Sequence, residues 1–260
     1  MFKYLRVVGV TAVAIMWFSA PTIAANQGKL HLPGIKGQDN RVTVDSREAP
    51  WRSVGRINKD GGHCTGVLVG ANKVLTAAHC FWNRRTHRWS DANLFHFLPG
   101  YYKGTYAAHA RGVSYKLAPG LDQARRFSDV KREQDWAILT IDKKLGDDFG
   151  WLPVDGYKLS VNQIKNVQIF QAGYSRDFAH VLTTHPACSI QQIAPMGAGD
   201  AGLYLHDCDA TKGDSGSPLF RKTETGYRIV GLHSSTIKRK KGSDLGVGVP
   251  SYLFQKHIGE

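Results

Sequence analysis

The 260-residue sequence predicts an all-β protein of paired antiparallel barrels. Short runs rich in Val, Ile and aromatic residues recur along the chain, with turn signals between them. The 28 Gly favour strands and turns over long helices. A content of 42% hydrophobic and 21% charged residues is that of an ordinary globular chain. The length suffices for one large or two small cores.

A first series of β-rich segments covers residues 53–57, 65–69, 73–77, 94–98, 111–117 and 137–141. A second covers 167–172, 180–184, 188–193, 202–206, 218–220, 227–233 and 246–250. Between them, Gly146, Gly150 and Pro153 break the pattern over residues 143–154. This places one barrel at about 50–145 and a second at about 155–250, within a unit spanning 42–260. A short closing helix is expected over 251–258, and no internal repeat is evident.

The N-terminus has the layout of a signal peptide over residues 1–25. Lys3 and Arg6 precede an apolar run over 7–18, and Thr22-Ile23-Ala24-Ala25 supplies small residues for cleavage. A membrane anchor is the other reading, but the run is short of the roughly 20 residues that cross a bilayer. No later segment is long and apolar enough to cross, so a secreted or periplasmic protein is expected. Residues 26–41 hold little to bury and read as a pro-segment or an N-terminal arm.

Three motifs carry chemistry. Gly213-Asp214-Ser215-Gly216-Ser217-Pro218 offers a serine in a glycine-flanked turn, and Leu75-Thr76-Ala77-Ala78-His79-Cys80 offers a histidine ending an apolar run. Asp135 opens the apolar run of Trp136, Ala137, Ile138 and Leu139. A serine hydroxyl is a weak nucleophile at neutral pH. It needs a base within hydrogen-bond reach, and the base needs an orienting partner. His79 would take the proton of Ser215, and Asp135 would hold the imidazole in the right tautomer. Without a side chain at Gly213, its N–H and that of Ser215 can converge on a developing oxyanion.

These motifs, in the order His, Asp, Ser, resemble those of the trypsin/chymotrypsin-like serine endopeptidases. Their flanks are similar to the secreted bacterial branch, which includes the glutamyl endopeptidases. The resemblance covers residues 50–258 and implies two six-stranded antiparallel β-barrels of chymotrypsin type, with the active site in the cleft between them. It implies hydrolysis of peptide bonds through an acyl-enzyme, with no cofactor and no metal. Protein or peptide substrates are the implied partners. It implies a disulfide between Cys64 and Cys80, which leaves Cys188 and Cys208 to pair with each other or to remain as buried thiols. A zinc site is a poor alternative, because the chain has no Cys-x-x-Cys pair. In trypsin-like relatives the residue matching Asp214 meets an N-terminal amine released on activation. Arg41-Val42 is a candidate processing bond, although Trp51 sets a register that puts the usual new terminus a few residues earlier.

The pocket residues point two ways. Asp209 stands six positions before Ser215, where the family places the pocket floor, and a carboxylate there selects Arg or Lys. Gly246 falls at a wall position where the missing side chain leaves room for a long guest. Both favour trypsin-like cleavage after Arg or Lys, which is the leading expectation, with an acidic preference as its rival. His233 matches the histidine with which glutamyl endopeptidases bind acidic side chains, and Ser234 matches a serine that bonds the triad carboxylate. Ser235 and Thr236 stand where trypsin has an aromatic-glycine wall. Asp209 could instead pair with His233 or cap backbone.

The formal net charge is +13, or about +11 without Lys3 and Arg6. Basic runs at residues 84–88 and 238–241 are either solvated loops or a surface for anionic polymers. No motif supports specific nucleic-acid recognition, and the oligomeric state is open. The rival functional class is a catalytically dead relative acting as a basic binding protein, but such relatives usually lose His or Ser.

Overall fold

The computed structural model describes residues 32–164, 166–196, 202–239 and 242–259. The expected signal peptide (1–25) and the start of the arm (26–31) lie outside these residues.

Fifteen strands are present among the described residues. A two-residue strand β1 (Val42–Thr43) is followed by β2 (Val54–Lys59), β3 (Gly62–Gly70) and β4 (Lys73–Thr76). A small ribbon of β5 (Trp82–Asn83) and β6 (Arg88–Trp89) comes next, then β7 (His96–Pro99), β8 (Ala110–Leu117) and β9 (Ala137–Ile141). Six of them close a barrel in the order β2-β3-β4-β9-β8-β7. Val54, Ile57, Val67, Leu75, Phe97 and Leu139 fill its core, each without solvent contact. β-Branched and aromatic residues suit such pleated, half-buried surfaces.

The short helix α1 (Leu145–Phe149) and a Gly150 at φ +71° lead out of this barrel. After α2 (Val161–Ile164) come β10 (Gln168–Gly173), β11 (Thr183–Pro195), β12 (Gly202–His206), β13 (Pro218–Thr223), β14 (Gly226–Ile237) and β15 (Leu245–Pro250). They run in the order β11-β10-β13-β14-β15-β12, and pairing of β12 back onto β11 closes the second barrel. β1 adds to the first residues of β11 through Val42 opposite Thr184. Ile169, Leu219 and Val230 pack at this core with the Cys188–Cys208 bridge.

The all-β, two-barrel expectation holds, with local differences. The last two residues of 180–184 and all of 188–193 belong to one strand, β11, which keeps its pairing with β10 by a register shift near Phe170. Expected as one helix, 251–258 forms two 3₁₀ turns, Ser251–Leu253 and Gln255–His257. No helix among the described residues is long and apolar enough to cross a membrane.

Candidate active site

Strand register brings His79 and Asp135 together. β4 and β9 are antiparallel neighbours, with Thr76 opposite Ala137. The chain leaving β4 turns through a 3₁₀ segment (Ala78–Phe81), while Asp135 enters β9 from the same end. Asp135 then accepts twice from His79, at 2.8 Å from the backbone N–H to Oδ1 and at 2.8 Å between Nδ1 and Oδ2. The second barrel contributes Ser234, whose Oγ also donates to Asp135 Oδ2. Burial pushes the Asp135 carboxyl up, but the neighbouring His79 and these hydrogen bonds outweigh it and hold it below the ordinary carboxylate range.

Ser215 sits in the tight turn that leads into β13. Its carbonyl accepts from Thr65 N–H in the first barrel at 3.0 Å. On its other side, Gly216 N–H reaches His233 O at 2.8 Å and His233 N–H reaches Ser217 O at 2.8 Å. The turn is thus fixed to both barrels, and Ser215 lines the cleft with His79 and Asp135. Gly213 has φ +98°, and a Cβ there would stand 2.4 Å from Tyr174 O, so only glycine fits. Among the described residues, neither Gly213 N–H nor Ser215 N–H donates to a backbone carbonyl. Both remain available to an anionic oxygen in the cleft.

The two cysteine pairs are joined, Cys64 to Cys80 and Cys188 to Cys208. Two groupings of metal-ligand side chains occur among the described residues, Cys64–His79–Cys80 and Cys188–Asp207–Cys208. In each, both sulfurs are committed to a disulfide, so no thiolate is offered to an ion.

Two expectations about the pocket need revision. Asp209 is fully buried, but it is not a free floor. Its Oδ1 accepts from Lys36 N–H at 2.7 Å and its Oδ2 from Asn40 N–H at 3.0 Å. His185 stands 3.4 Å from the same carboxylate, so Asp209 caps the backbone of the N-terminal arm and does not pair with His233. Gly246 does not open space for a guest. A Cβ there would meet the His206 ring at 2.2 Å, so the missing side chain houses that imidazole. The described part of the arm is itself hydrogen-bonded to this region. Gly34 O accepts from Ala210 N–H at 3.1 Å, and Lys36 Nζ donates to Gly34 O at 2.8 Å and to Cys208 O. Arg41 is clamped between Asp39 and Asp177, with its side chain almost wholly covered.

Behind His233 lies His206, two positions before Cys208, with no local sequence signal to mark it as a partner of that ring. Its Nε2 lies 3.0 Å from His233 Nδ1, and both rings are buried. Burial and the charges of Lys36 and His79 push His233 down to about 3, and burial beside His233 takes His206 well below its ordinary range. Both imidazoles are neutral near neutral pH. His206 Nδ1 has no partner among the described residues. The tautomer with the proton on His206 Nε2 leaves a lone pair there in place of an orphaned N–H, which proteins avoid more strictly. In that tautomer His233 Nδ1 accepts. The proton of His233 then sits on Nε2, the ring nitrogen left for the cleft that His233 lines with Ser234, Ser235 and Thr236.

The double barrel and its cleft define a chymotrypsin-type fold, and comparison with known proteins agrees. The family model described as Trypsin matches residues 39–258, so the chain belongs to the trypsin family. It is 22% identical to the glutamyl endopeptidase of Bacillus licheniformis, over 75% of this chain and 57% of that protein. The chain thus spans little more than half the length of that relative. A solved Glu endopeptidase superposes with a TM-score of 0.69 at 22% identity, covering 86% of this chain and 96% of the other. The protease Anisep of Arthrobacter nicotinovorans superposes at 0.59 and 18% identity, covering 82% and 99%. At these identities the structural likeness speaks for the fold alone.

Proposed function

We propose that this protein is a serine endopeptidase with Ser215 as nucleophile, His79 as general base and Asp135 as the residue that orients the base. The observation that carries the reading is the His79–Asp135 pair facing the cleft that Ser215 lines. Because Nδ1–H of His79 is spent on Asp135, Nε2 is the nitrogen left to take the Ser215 proton and return it to the leaving amine. Gly213 and Ser215 N–H would hold the oxyanion, and losing one such donor typically costs about 10²–10³ in rate. Fluorophosphonate labelling tests the assignment. Ser215 should be the modified residue, and an active-site serine that stays unlabelled in folded protein removes the basis of the reading.

For specificity we propose an acidic residue on the acyl side of the cleaved bond, in place of the Arg or Lys that the sequence leads one to expect first. Asp209 is engaged by the arm, and His233 offers a neutral N–H donor where a guest carboxylate could accept. The name of the Bacillus licheniformis relative points the same way. A donor aimed at a buried carboxylate is worth about 1.5–3 kcal/mol. Peptides differing only in Glu, Gln or Lys at the cleaved bond test this.

Residues 1–25 are proposed as a signal peptide, with export of the remainder and the arm retained. Cleavage at Arg41 requires the arm to leave its seat first, because the Arg41 guanidinium is held by two carboxylates. N-terminal sequencing of active secreted protein tests this; a terminus at Val42 refutes retention.

A further inference from the structure

Beyond the primary pocket, the cleft carries an unbalanced charge. On the side that holds His233, its walls include Arg132 and Lys238. Across Ser215, beside Gly213 and the Cys64–Cys80 bridge, they include Lys59, Arg85 and Arg176. Arg84 and Lys212 line both halves. Of these seven cations, six are exposed, and Lys59 is half-buried with its ammonium on Cys80 O at 2.8 Å. The carboxylates in the same walls are Asp135, which is buried and bound to His79, and Asp60.

None of the seven forms an ion pair among the described residues. Arg41, Arg47, Arg221 and Arg228, which lie outside the cleft walls, each meet a carboxylate. The positive charge of the cleft walls is therefore not offset by ion pairs among the described residues. Walls of one sign in a concave site focus the field and draw in groups of the opposite sign. Arg84 is also positioned, with its guanidinium carbon 4.8 Å from the centre of the Phe127 ring. Phe127 in turn packs edge-on to His79 at 6.4 Å. Lys212 immediately precedes Gly213, so a cation also adjoins the segment that carries the oxyanion donors.

We propose that this cleft selects peptide segments carrying acidic residues on both sides of the cleaved bond, outside the residue held in the primary pocket. A peptide with its scissile carbonyl at Ser215 lays its acyl side along Arg132 and Lys238. Its leaving-group side passes Lys59, Arg85 and Arg176. The occupant is a peptide because the cations line a groove that converges from two directions on the nucleophile. The proposal rests on the peptidase reading but not on which residue the primary pocket prefers.

The test uses two fluorescent peptides with the same residue at the cleaved bond. One carries Glu and Asp at the flanking positions, and the other carries Gln and Asn. At low salt, kcat/KM for the acidic peptide should exceed that for the amide peptide by about tenfold, the product of several surface pairs each worth a small factor. In 1 M NaCl, where the screening length is about 3 Å, the ratio should approach one. Arg85→Gln with Arg176→Gln should lower the ratio for peptides acidic on the leaving-group side alone. Equal cleavage of the two peptides at low salt overturns the proposal, as does an advantage that survives 1 M NaCl. So does tight binding of polyphosphate in the cleft without any acidic-peptide advantage. Anisotropy with folded Ser215→Ala compares the affinities of the two peptides without turnover. A wild type that cleaves neither peptide counts against the peptidase reading, and the binding ratio still decides the charge proposal.

Discussion

Gly246→Ala distinguishes a glycine that makes room for substrate from one that makes room for the protein. The new Cβ would stand 2.2 Å from His206 Cε1 and 2.3 Å from Nε2. No real contact is that short, so the ring or the strand must move. The ring has nowhere easy to go, since His206 has no solvent exposure. Overpacking of this kind costs about 1–3 kcal/mol. At about 2–4 °C per kcal/mol for a domain of this size, Tm should fall by roughly 2–12 °C. Displacing the ring also breaks the 3.0 Å contact to His233 and frees the tautomer that puts a proton on His233 Nε2. The Glu-over-Gln ratio in kcat/KM should then drop about 10-fold or more, matching the loss of one charge-assisted hydrogen bond of about 1.5–3 kcal/mol. Turnover of a small neutral ester should change far less, because the triad does not touch His206. Thermal unfolding and paired Glu and Gln substrates read both effects. A Gly246→Ala protein with wild-type Tm and an unchanged Glu/Gln ratio refutes the packing account. A uniform loss for all long side chains would restore the open-wall reading.

Ser215→Ala and His79→Ala should each abolish nearly all peptidase activity in folded protein, and the double variant should lose little more; additive losses in kcat argue against one catalytic unit. Asp214 is buried, with Oδ2 accepting from Ser175 Oγ at 2.6 Å and Thr211 N–H at 2.7 Å, and burial pushes its pKa up to about 6. A carboxyl raised above its unfolded value binds its proton more tightly when folded, so stability falls as pH rises from about 4 to about 6, by about 3 kcal/mol. Asp214→Asn should therefore gain stability relative to wild type at pH 7.5 and lose that gain at pH 3.5; urea unfolding giving the same difference at both values contradicts it. Asp209→Ala removes the acceptor of two arm N–H groups, so it should expose Arg41 to trypsin in limited proteolysis while leaving preference at the cleaved bond unswitched. An arm that stays resistant shows that Asp209 is not its tether.

The segments that bear His79, Asp135 and Ser215 are legible because each is carried by local sequence. A glycine-flanked serine, a histidine at the end of an apolar run and an aspartate opening the next one can be read without knowing what they touch. Antiparallel register between β4 and β9 then brings His79 to Asp135, and the Ser215 turn is set by its backbone bonds to both barrels. The pocket was legible only in part. Asp209 was read from its offset to Ser215, but its partners Lys36 and Asn40 lie 173 and 169 positions away, in a segment with little to bury. Gly246 was read as a gap, and what fills the gap is a ring 40 positions earlier. Such contacts come from barrel closure, where β12 pairs with β15 and sets His206 opposite Gly246. The β5–β6 ribbon was missed for a different reason. It is two short pieces, Trp82–Asn83 and Arg88–Trp89, held by an edge-to-face pair of Trp82 and Trp89 at 4.9 Å, and it has too few residues to show alternation.

Cleavage-site profiling tests the central claim most directly. Purified wild-type protein is incubated with a peptide library, and the residue on the acyl side of each new terminus is counted, with Ser215→Ala as the blank. New termini should follow Glu, and secondarily Asp, and should vanish in Ser215→Ala. Termini that follow Arg or Lys instead, with Glu sites uncut, contradict the pocket described here and return Asp209 to the role of a specificity floor.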